Sequence, residues 1–176
     1  MAHPENANHP ESTPWPTFLL GVGLGGFVDG IVLHQILQWH HLVSHVEGLS
    51  PETVEGLRAN TLADGAFHLF AWACVVAGAA LALLAWQQRQ MATSWRFHIG
   101  LVLVGWGVFN LVEGIVNHHV LGIHHVRDDL GGPLSWDLGF LAISVLLVVV
   151  GWLLYRAGQA GDTPSVPPQR TGTQSP

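Results

Sequence analysis

A histidine-rich segment occurs twice in this chain. The first copy, DGIVLHQILQWHH, covers residues 29–41, and the second, EGIVNHHVLGIHH, covers residues 113–125, without a gap and at an offset of 84 residues (113 − 29). Each copy combines one carboxylate, Asp29 or Glu113, with three histidines at matching positions. An internal repeat of this kind predicts that the fold contains two copies of one structural unit.

Both copies lie in hydrophobic sequence. Only 10% of the 176 residues are charged and 49% are hydrophobic, whereas soluble domains carry about 25% charged residues. The apolar segments are each close to the ~20 residues that cross a bilayer core, and lipid favours helices because their backbone groups are paired internally. The sequence therefore predicts an all-α, four-helix transmembrane bundle. Its predicted spans are residues 17–41, 62–86, 97–121 and 136–156.

The repeat divides the predicted membrane domain, residues 17–156, into two tandem units. Repeat one covers residues 17–88 and repeat two covers residues 95–156. Because each unit is a pair of spans, both insert in the same direction, related by a pseudo-twofold axis along the membrane normal. Outside this domain, residues 1–16 form a polar N-terminal segment. Residues 157–176, rich in Pro, Gly, Ser and Thr, are predicted to be a disordered tail.

A short helix and the orientation in the membrane are also predicted from individual residues. Ser50 followed by Pro51 predicts a short surface helix between the first two spans. The arginines give the orientation, because basic residues favour the cytoplasmic side. This predicts a multi-pass membrane protein with cytoplasmic termini and outward-facing histidine ends. Arg89, Arg96, Arg156 and Arg170 lie on the side of the termini, and Arg58 and Arg127 on the other.

The histidines and carboxylates of the repeats predict a metal site near the outer face. Ionised carboxylates inside a membrane are costly unless they are paired, and a shared cation satisfies imidazole and carboxylate lone pairs together. Asp29 and Glu113 are predicted to lie about 7–8 Å deeper than His34, from the helical rise, as proton relays or as a second layer around the ligands. The predicted ligands are His34, His40, His41, Asp64, His68, His118, His119, His124, His125 and Asp137.

The composition restricts the cofactor and the partners. Mixed nitrogen and oxygen ligands suit iron, zinc or copper(II), while a single cysteine and two methionines disfavour copper(I) carried on sulfur. Haem is a less favoured cofactor, since two histidines suffice for it. A net charge of −6 without a basic patch argues against nucleic acid, so the expected partner is the lipid bilayer. His45 and His98 are interpreted as surface or helix-to-helix contacts, and Asp128 and Asp129 as solvated loop charges.

The two motifs also carry a resemblance. In this sequence they read GGFVDGIVLHQILQWHH at residues 25–41 and NLVEGIVNHHVLGIHHVR at residues 110–127. The pattern resembles a family of bacterial predicted four-helix integral membrane proteins of unknown function, over about residues 17–156. Some members are encoded beside, or fused to, a cytochrome oxidase assembly factor of the CtaG type. The resemblance implies a link to copper or respiratory metal handling, with oxidase assembly components as partners.

Four functions remain open from the sequence. The leading one is an integral membrane metalloprotein with a mono- or dinuclear His/carboxylate site, whose enzymatic form would be an oxidoreductase. The second is metal delivery to, or assembly of, a respiratory oxidase. The third is a haem-binding membrane protein. The fourth is a proton or ion conduit that uses Asp29 and Glu113.

Overall fold

The computed structural model describes residues 12–161 and contains four long helices. Each is long and apolar enough to cross a membrane, which confirms the predicted all-α class. Residues 1–11 and 162–176, including most of the predicted N-terminal segment and tail, lie outside the described residues. The elements are α1 (Trp15–Val28), which continues as a π-helix, π1 (Asp29–Ile36); α2 (Val54–Gln87); α3 (Trp95–Glu113), which continues as π2 (Gly114–Val120); a 3₁₀ turn (Asp128–Leu130); and α4 (Leu134–Gly161).

Two helices form the centre of the bundle, and the other two lie outside them. Helix α1 packs against α2 and α3, and α3 packs against α4. Glycines allow the central pair to approach closely, because a Cβ atom on Gly21 would overlap the Val102 backbone and one on Gly105 would overlap the Phe18 carbonyl oxygen. Small residues at such crossings are typical of membrane helices, whose association depends on close packing.

The outer helices present large apolar side chains on the protein surface. On α2, Leu62 and Leu69 are 77% and 63% exposed, and on α4, Ile143 and Leu153 are 60% and 63% exposed. A soluble protein rarely shows such broad apolar surfaces, whereas a lipid bilayer solvates them. The outer helices therefore form the lipid-facing surface, and the polar residues lie between α1, α3 and the loops that follow them.

The first and third spans end differently from the prediction. Residues 17–41 were expected to be one helix, but it ends at Ile36. There the Leu37 N–H donates to the carbonyl of Val32, five residues back, at 2.8 Å, and Gln38 adopts a left-handed φ of 51°. The prediction of helix through residue 41 was wrong because this wider π turn leads into a loop.

The other loop repeats this ending, with the Leu121 N–H on the Val116 carbonyl at 2.8 Å and Gly122 at a φ of 58°. The histidine doublets 40–41 and 124–125 therefore lie on loops and not on helices.

The second and fourth helices are longer than predicted. Helix α2 begins at Val54, eight residues before the predicted residue 62. Thr53 is its N-cap, and its hydroxyl accepts from the Gly56 N–H at 3.0 Å. The separate surface helix capped by Ser50 was wrong, because this segment leads directly into α2. Helix α4 continues to Gly161, five residues into the segment predicted as tail.

The close crossing of α1 and α3 predicts a measurable cost for adding one methyl group. Gly105→Ala is expected to destabilise the protein by about 1–3 kcal/mol, the usual cost of overpacking a filled interior, because its Cβ would overlap the Phe18 carbonyl oxygen. Thermal unfolding in detergent measures the change. Gly139→Ala is the control, since a Cβ there has open space and gains helix propensity. Equal melting temperatures for the two variants would contradict this account of the crossing.

Candidate metal centre

Four imidazole rings pack together at the end of the α1–α3 pair. We call them the central histidines: His34, His40, His118 and His124. The rings of His34 and His40 have centroids 4.4 Å apart, those of His118 and His124 are 4.8 Å apart, and His40 stacks on His124 at 4.6 Å. None is more than 3% exposed. Two histidines come from the π-helices and two from the loops that fold back over them.

The central histidines place possible ligand atoms close together. One nitrogen each of His34, His40 and His124 lies within 4.8 Å of the others, and a second triad with the same spacing contains Glu113, His118 and His124. Every member of both triads is buried. Nitrogen and oxygen donors bind zinc at about 2.0–2.2 Å, so small side-chain movements would bring either triad onto one ion.

The two loop histidines are fixed by backbone carbonyls across the bundle. His40 Nδ1 lies 3.0 Å from the Val126 oxygen, and His124 Nδ1 lies 2.9 Å from the Leu42 oxygen. A carbonyl only accepts, so each Nδ1 carries a proton and donates it. Second bonds of this kind orient imidazole ligands in metal sites. The neutral form of His40 then presents an Nε2 lone pair.

Asp64 holds two imidazoles by their Nδ1 atoms. Its Oδ1 lies 2.8 Å from His34 Nδ1, and its Oδ2 lies 2.7 Å from His41 Nδ1. The Leu42 backbone N–H donates to Oδ1 at 2.9 Å, and the Gln35 amide donates to Oδ2 at 3.2 Å. Both carboxylate oxygens of Asp64 are therefore fully engaged in orienting the π1 segment and its loop.

Asp137 has corresponding neighbours in the second half of the chain. Its Oδ2 lies 2.7 Å from His125 Nδ1, and its Oδ1 accepts from the Val126 backbone N–H at 2.9 Å. Its Oδ1 also lies 3.4 Å from His118 Nδ1. Asp64 and Asp137 are each 1% exposed, so each is a buried anchor for the histidines around it.

Asp29 and Glu113 lie on the other side of the central histidines. Asp29 Oδ2 is 3.4 Å from His34 Nε2, and Glu113 Oε1 is 3.4 Å from His118 Nε2 and 2.8 Å from His124 Nε2. Both carboxylates therefore reach the histidines directly, and their depth relative to His34 stays a prediction. Each precedes its histidine by five residues, and a π-helix closes its turn over five residues, so the two side chains point the same way.

Several buried polar atoms of this cluster have no hydrogen-bond partner among the described residues. They are Asp29 Oδ2, the Nε2 atoms of His34 and His40, Glu113 Oε2, and both ring nitrogens of His118. Leaving a buried polar group unpaired costs about 1–3 kcal/mol, and native structures contain few such groups. All of these atoms belong to the central histidines or to the two carboxylates that contact them, so cations bound among them would supply the missing partners.

The loop histidines differ in charge state. Burial lowers the pKa of His40 well below its ordinary value, and the neighbouring His124 and His34 add to this. Burial also disfavours the charged form of His124, but its bonds to Glu113 outweigh burial and raise the pKa of His124. Neutral imidazole is the metal-binding form, so His40 is already in that form, and His124 would exchange its Nε2 proton for a metal ion.

Four of the predicted histidine ligands lie outside the central histidines. His41 and His125 sit at the rim, with side chains 15% and 24% exposed. His68 lies against Gly30 and stacks on Phe27 at 6.3 Å, outside both triads. His119 is exposed. The structure brings together the remaining predicted residues, namely His34, His40, Asp64, His118, His124 and Asp137.

The interpretation of Asp128 as a solvated loop charge was wrong. Its side chain is only 12% exposed, and it accepts from the Ser44 hydroxyl at 2.5 Å and from the His125 backbone N–H at 3.1 Å. In the other loop, the Ser44 hydroxyl oxygen accepts from the His41 N–H at 3.1 Å. Ser44 and Asp128 are themselves 84 residues apart (128 − 44), a signal that links both to the repeat.

An arginine closes the rim above the histidines. The Arg127 guanidinium lies 4.5 Å from the Trp39 ring centre and 5.0 Å from that of Trp136. It also pairs with Asp129 through two bonds of 2.8 Å. Hydrogen bonding to Arg127 lowers the pKa of Asp129 and keeps it ionised. The contact of Arg127 with Trp39 joins the two loops that carry the histidine doublets.

Comparison with known proteins gives a family but no function. A family model described as "Predicted membrane protein (DUF2243)" matches residues 16–158, so the chain belongs to that family and is a multi-pass membrane protein with four candidate spans. No curated protein and no solved structure matches the chain.

Proposed function

We propose that this member of the DUF2243 family is a membrane metalloprotein with a dinuclear centre bound by the central histidines together with Asp29 and Glu113. The observation that carries the proposal is the set of unpartnered buried atoms on those histidines and on the two carboxylates beside them. Carboxylates and imidazoles within a membrane are costly unless they pair. A pair of divalent cations supplies the missing partners and neutralises both carboxylates.

Asp64 and Asp137 act in this proposal as positioning residues. Their oxygens already accept from the Nδ1 atoms of His34 and His125 and from backbone N–H groups, which leaves the Nε2 atom of His34 for metal. Both ring nitrogens of His118 are without a hydrogen-bond partner among the described residues. Carboxylate–histidine–metal arrangements of this type fix ring orientation and raise the basicity of the ligand. His41 and His125 complete the buried network from the rim.

Two ions follow from the internal repeat, which we take to be a pseudo-twofold pair of two-helix units. His40 donates to the Val126 carbonyl, and His124 donates to the Leu42 carbonyl. The two histidines are 84 residues apart, and so are the two residues whose carbonyls accept. The Asp29–His34 and Glu113–His118 contacts, both 3.4 Å, are related in the same way. Six donor groups divide into three for each ion, about the number of protein ligands in catalytic zinc sites.

The donors and their burial favour a resident transition-metal ion. Imidazole and carboxylate suit iron, copper(II) and zinc, and the centre is an oxidoreductase cofactor if the ion is iron or copper. The central histidines are 0–3% exposed, which suits a bound cofactor better than a cargo passed to a partner. The arginine distribution favours an outward-facing centre in a bacterial inner membrane, with cytoplasmic termini.

Metal delivery is the second candidate function. His41 and His125 are the histidines of the network that reach the surface, where a partner protein such as an oxidase assembly factor would meet them. Haem is disfavoured by packing, because the His40 and His124 rings stacked at 4.6 Å fill the space between His34 and His118. A porphyrin between those two histidines would have to displace both rings.

Elemental analysis of the protein purified in mild detergent tests the proposal. We expect roughly two transition-metal ions per chain, from three donors per ion, and an absorption spectrum without a Soret band. A resident centre keeps its metal during dialysis against a weak chelator, whereas a delivery protein exchanges it rapidly. Trace metal in protein from metal-supplemented cells would contradict the metal centre, and a Soret band would replace it with haem.

A further inference from the structure

One cleft opens beside the central histidines on the side of the first repeat. It has a volume of about 670 Å³ and lies between the loop after π1, residues 50–52 and the first turns of α2. Its lining includes Gln35, His40, His41, Ser44, Glu52 and Asp128. His40 is also a member of a ligand triad, so the cleft reaches the proposed metal centre through that side chain.

The wall of this cleft comes from a segment that repeat two lacks. His41 and the Asp64 that anchors it are 23 residues apart, whereas His125 and Asp137 are 12 apart. The first connection is therefore longer by 11 residues (23 − 12). This longer connection supplies Ser50, Pro51 and Glu52 to the cleft. The difference between the halves thus gives one side of the metal centre an outer chamber.

The charges of the lining favour one sign of ligand. Glu52, Asp128 and Asp129 contribute carboxylates, and neither lysine nor arginine contributes to the lining among the described residues. Arg127, which precedes the cleft residue Asp128 in the chain, is paired with Asp129. Clefts lined by one sign of charge concentrate ions of the opposite sign, so this cleft attracts cations and repels anions.

We propose that this cleft is the access path by which hydrated divalent cations reach the metal centre. The inference rests on the proposed function and adds the route and the charge class of the ion. The ion enters past Glu52 and Asp128, sheds water against the carboxylates and His41, and passes to the Nε2 atom of His40. Because the Nε2 atom of His40 is buried, the last step requires a small movement of that side chain.

Uptake of Co²⁺ by protein stripped with a chelator tests the path, followed by the visible absorption of the bound ion in a stopped-flow experiment. Thr61 is exposed and lines the cleft, so Thr61→Trp fills it and should slow uptake at least about tenfold with an unchanged final amount. The matched control is Leu62→Trp, one residue along the same helix, outside the cleft lining and 77% exposed. It should take up Co²⁺ at the wild-type rate.

A charge variant keeps the test decisive if Thr61→Trp folds poorly. Glu52→Gln should slow uptake by about two- to fivefold at low ionic strength and lose this effect at high salt, whereas Glu55→Gln, exposed and outside the lining, should not. Wild-type rates in both Thr61→Trp and Glu52→Gln would overturn the access path alone. Absence of Co²⁺ binding in the wild type would overturn the metal centre as well.

Discussion

Replacing His118 with alanine is expected to remove at least one of the two proposed ions. The ring of His118 lies between Glu113 and Asp137, at 3.4 Å from each, and its two nitrogens are buried without a hydrogen-bond partner among the described residues. Removal of a group that only orients a ligand typically costs 10–100-fold in metal affinity. Removal of the ligand itself should exceed about a hundredfold. Elemental analysis of the purified variant measures the loss.

The neighbouring residue provides the control for this prediction. His119→Ala changes an exposed imidazole one position along the same π-helix, so the variant should keep the full metal content. Circular dichroism of both variants shows whether the four-helix bundle is retained. If the folded His118→Ala protein carried as much metal as His119→Ala, His118 would not be a ligand, and the proposed centre would be wrong in its second half.

The sequence was sufficient for the broad architecture. Four apolar segments fix the number of helices, because hydropathy in lipid leaves few alternatives. The repeat was sufficient to select the candidate residues. The spacing from Asp29 to His34 occurs again from Glu113 to His118, which distinguishes these four residues from the other polar ones. Composition and repetition therefore predicted the fold class and most members of the histidine cluster.

The detailed geometry of the site was not accessible from the same patterns. In an ordinary α-helix, side chains five residues apart point in different directions around the helix axis. In the π-helix they point the same way, and Asp29 Oδ2 lies 3.4 Å from His34 Nε2. Hydropathy is the same for both kinds of helix, so it carries no signal for the change. The ends at Ile36 and Val120 depend on the same change, and the earlier end of the first span places the doublet 40–41 on a loop.

Contacts between segments far apart in the sequence were a second reason why the site differs from the prediction. His40 is held by Val126 and His124 by Leu42, and a carbonyl oxygen is available on any residue. No sequence pattern identifies such partners in advance. His68 shows the converse case, because helical spacing from Asp64 suggested a shared ion, yet its ring rests against Gly30. Tertiary packing decided both positions.

The division of roles between ligands and anchors leads to the second large effect, at Asp137. Asp137→Asn preserves the shape of the side chain but removes one acceptor oxygen, so either the Val126 N–H or the His125 ring loses its partner. A buried donor without a partner costs about 1–3 kcal/mol, and more when the lost acceptor is charged. We also expect metal affinity to fall about 10–100-fold, as for other residues that orient ligands.

Asp129→Asn is the matched control, because it is the same substitution in the same loop region at an exposed ion pair with Arg127, and such pairs contribute little to stability. Thermal unfolding and metal titration in detergent measure the two effects. An anchoring role predicts that Asp137→Asn melts earlier yet still fills both sites at high metal concentration. Permanent loss of one ion at saturating metal, with an unchanged melting temperature, would instead make Asp137 a ligand, as its sequence pattern had predicted. That outcome would move the centre outward, toward His125 and the rim.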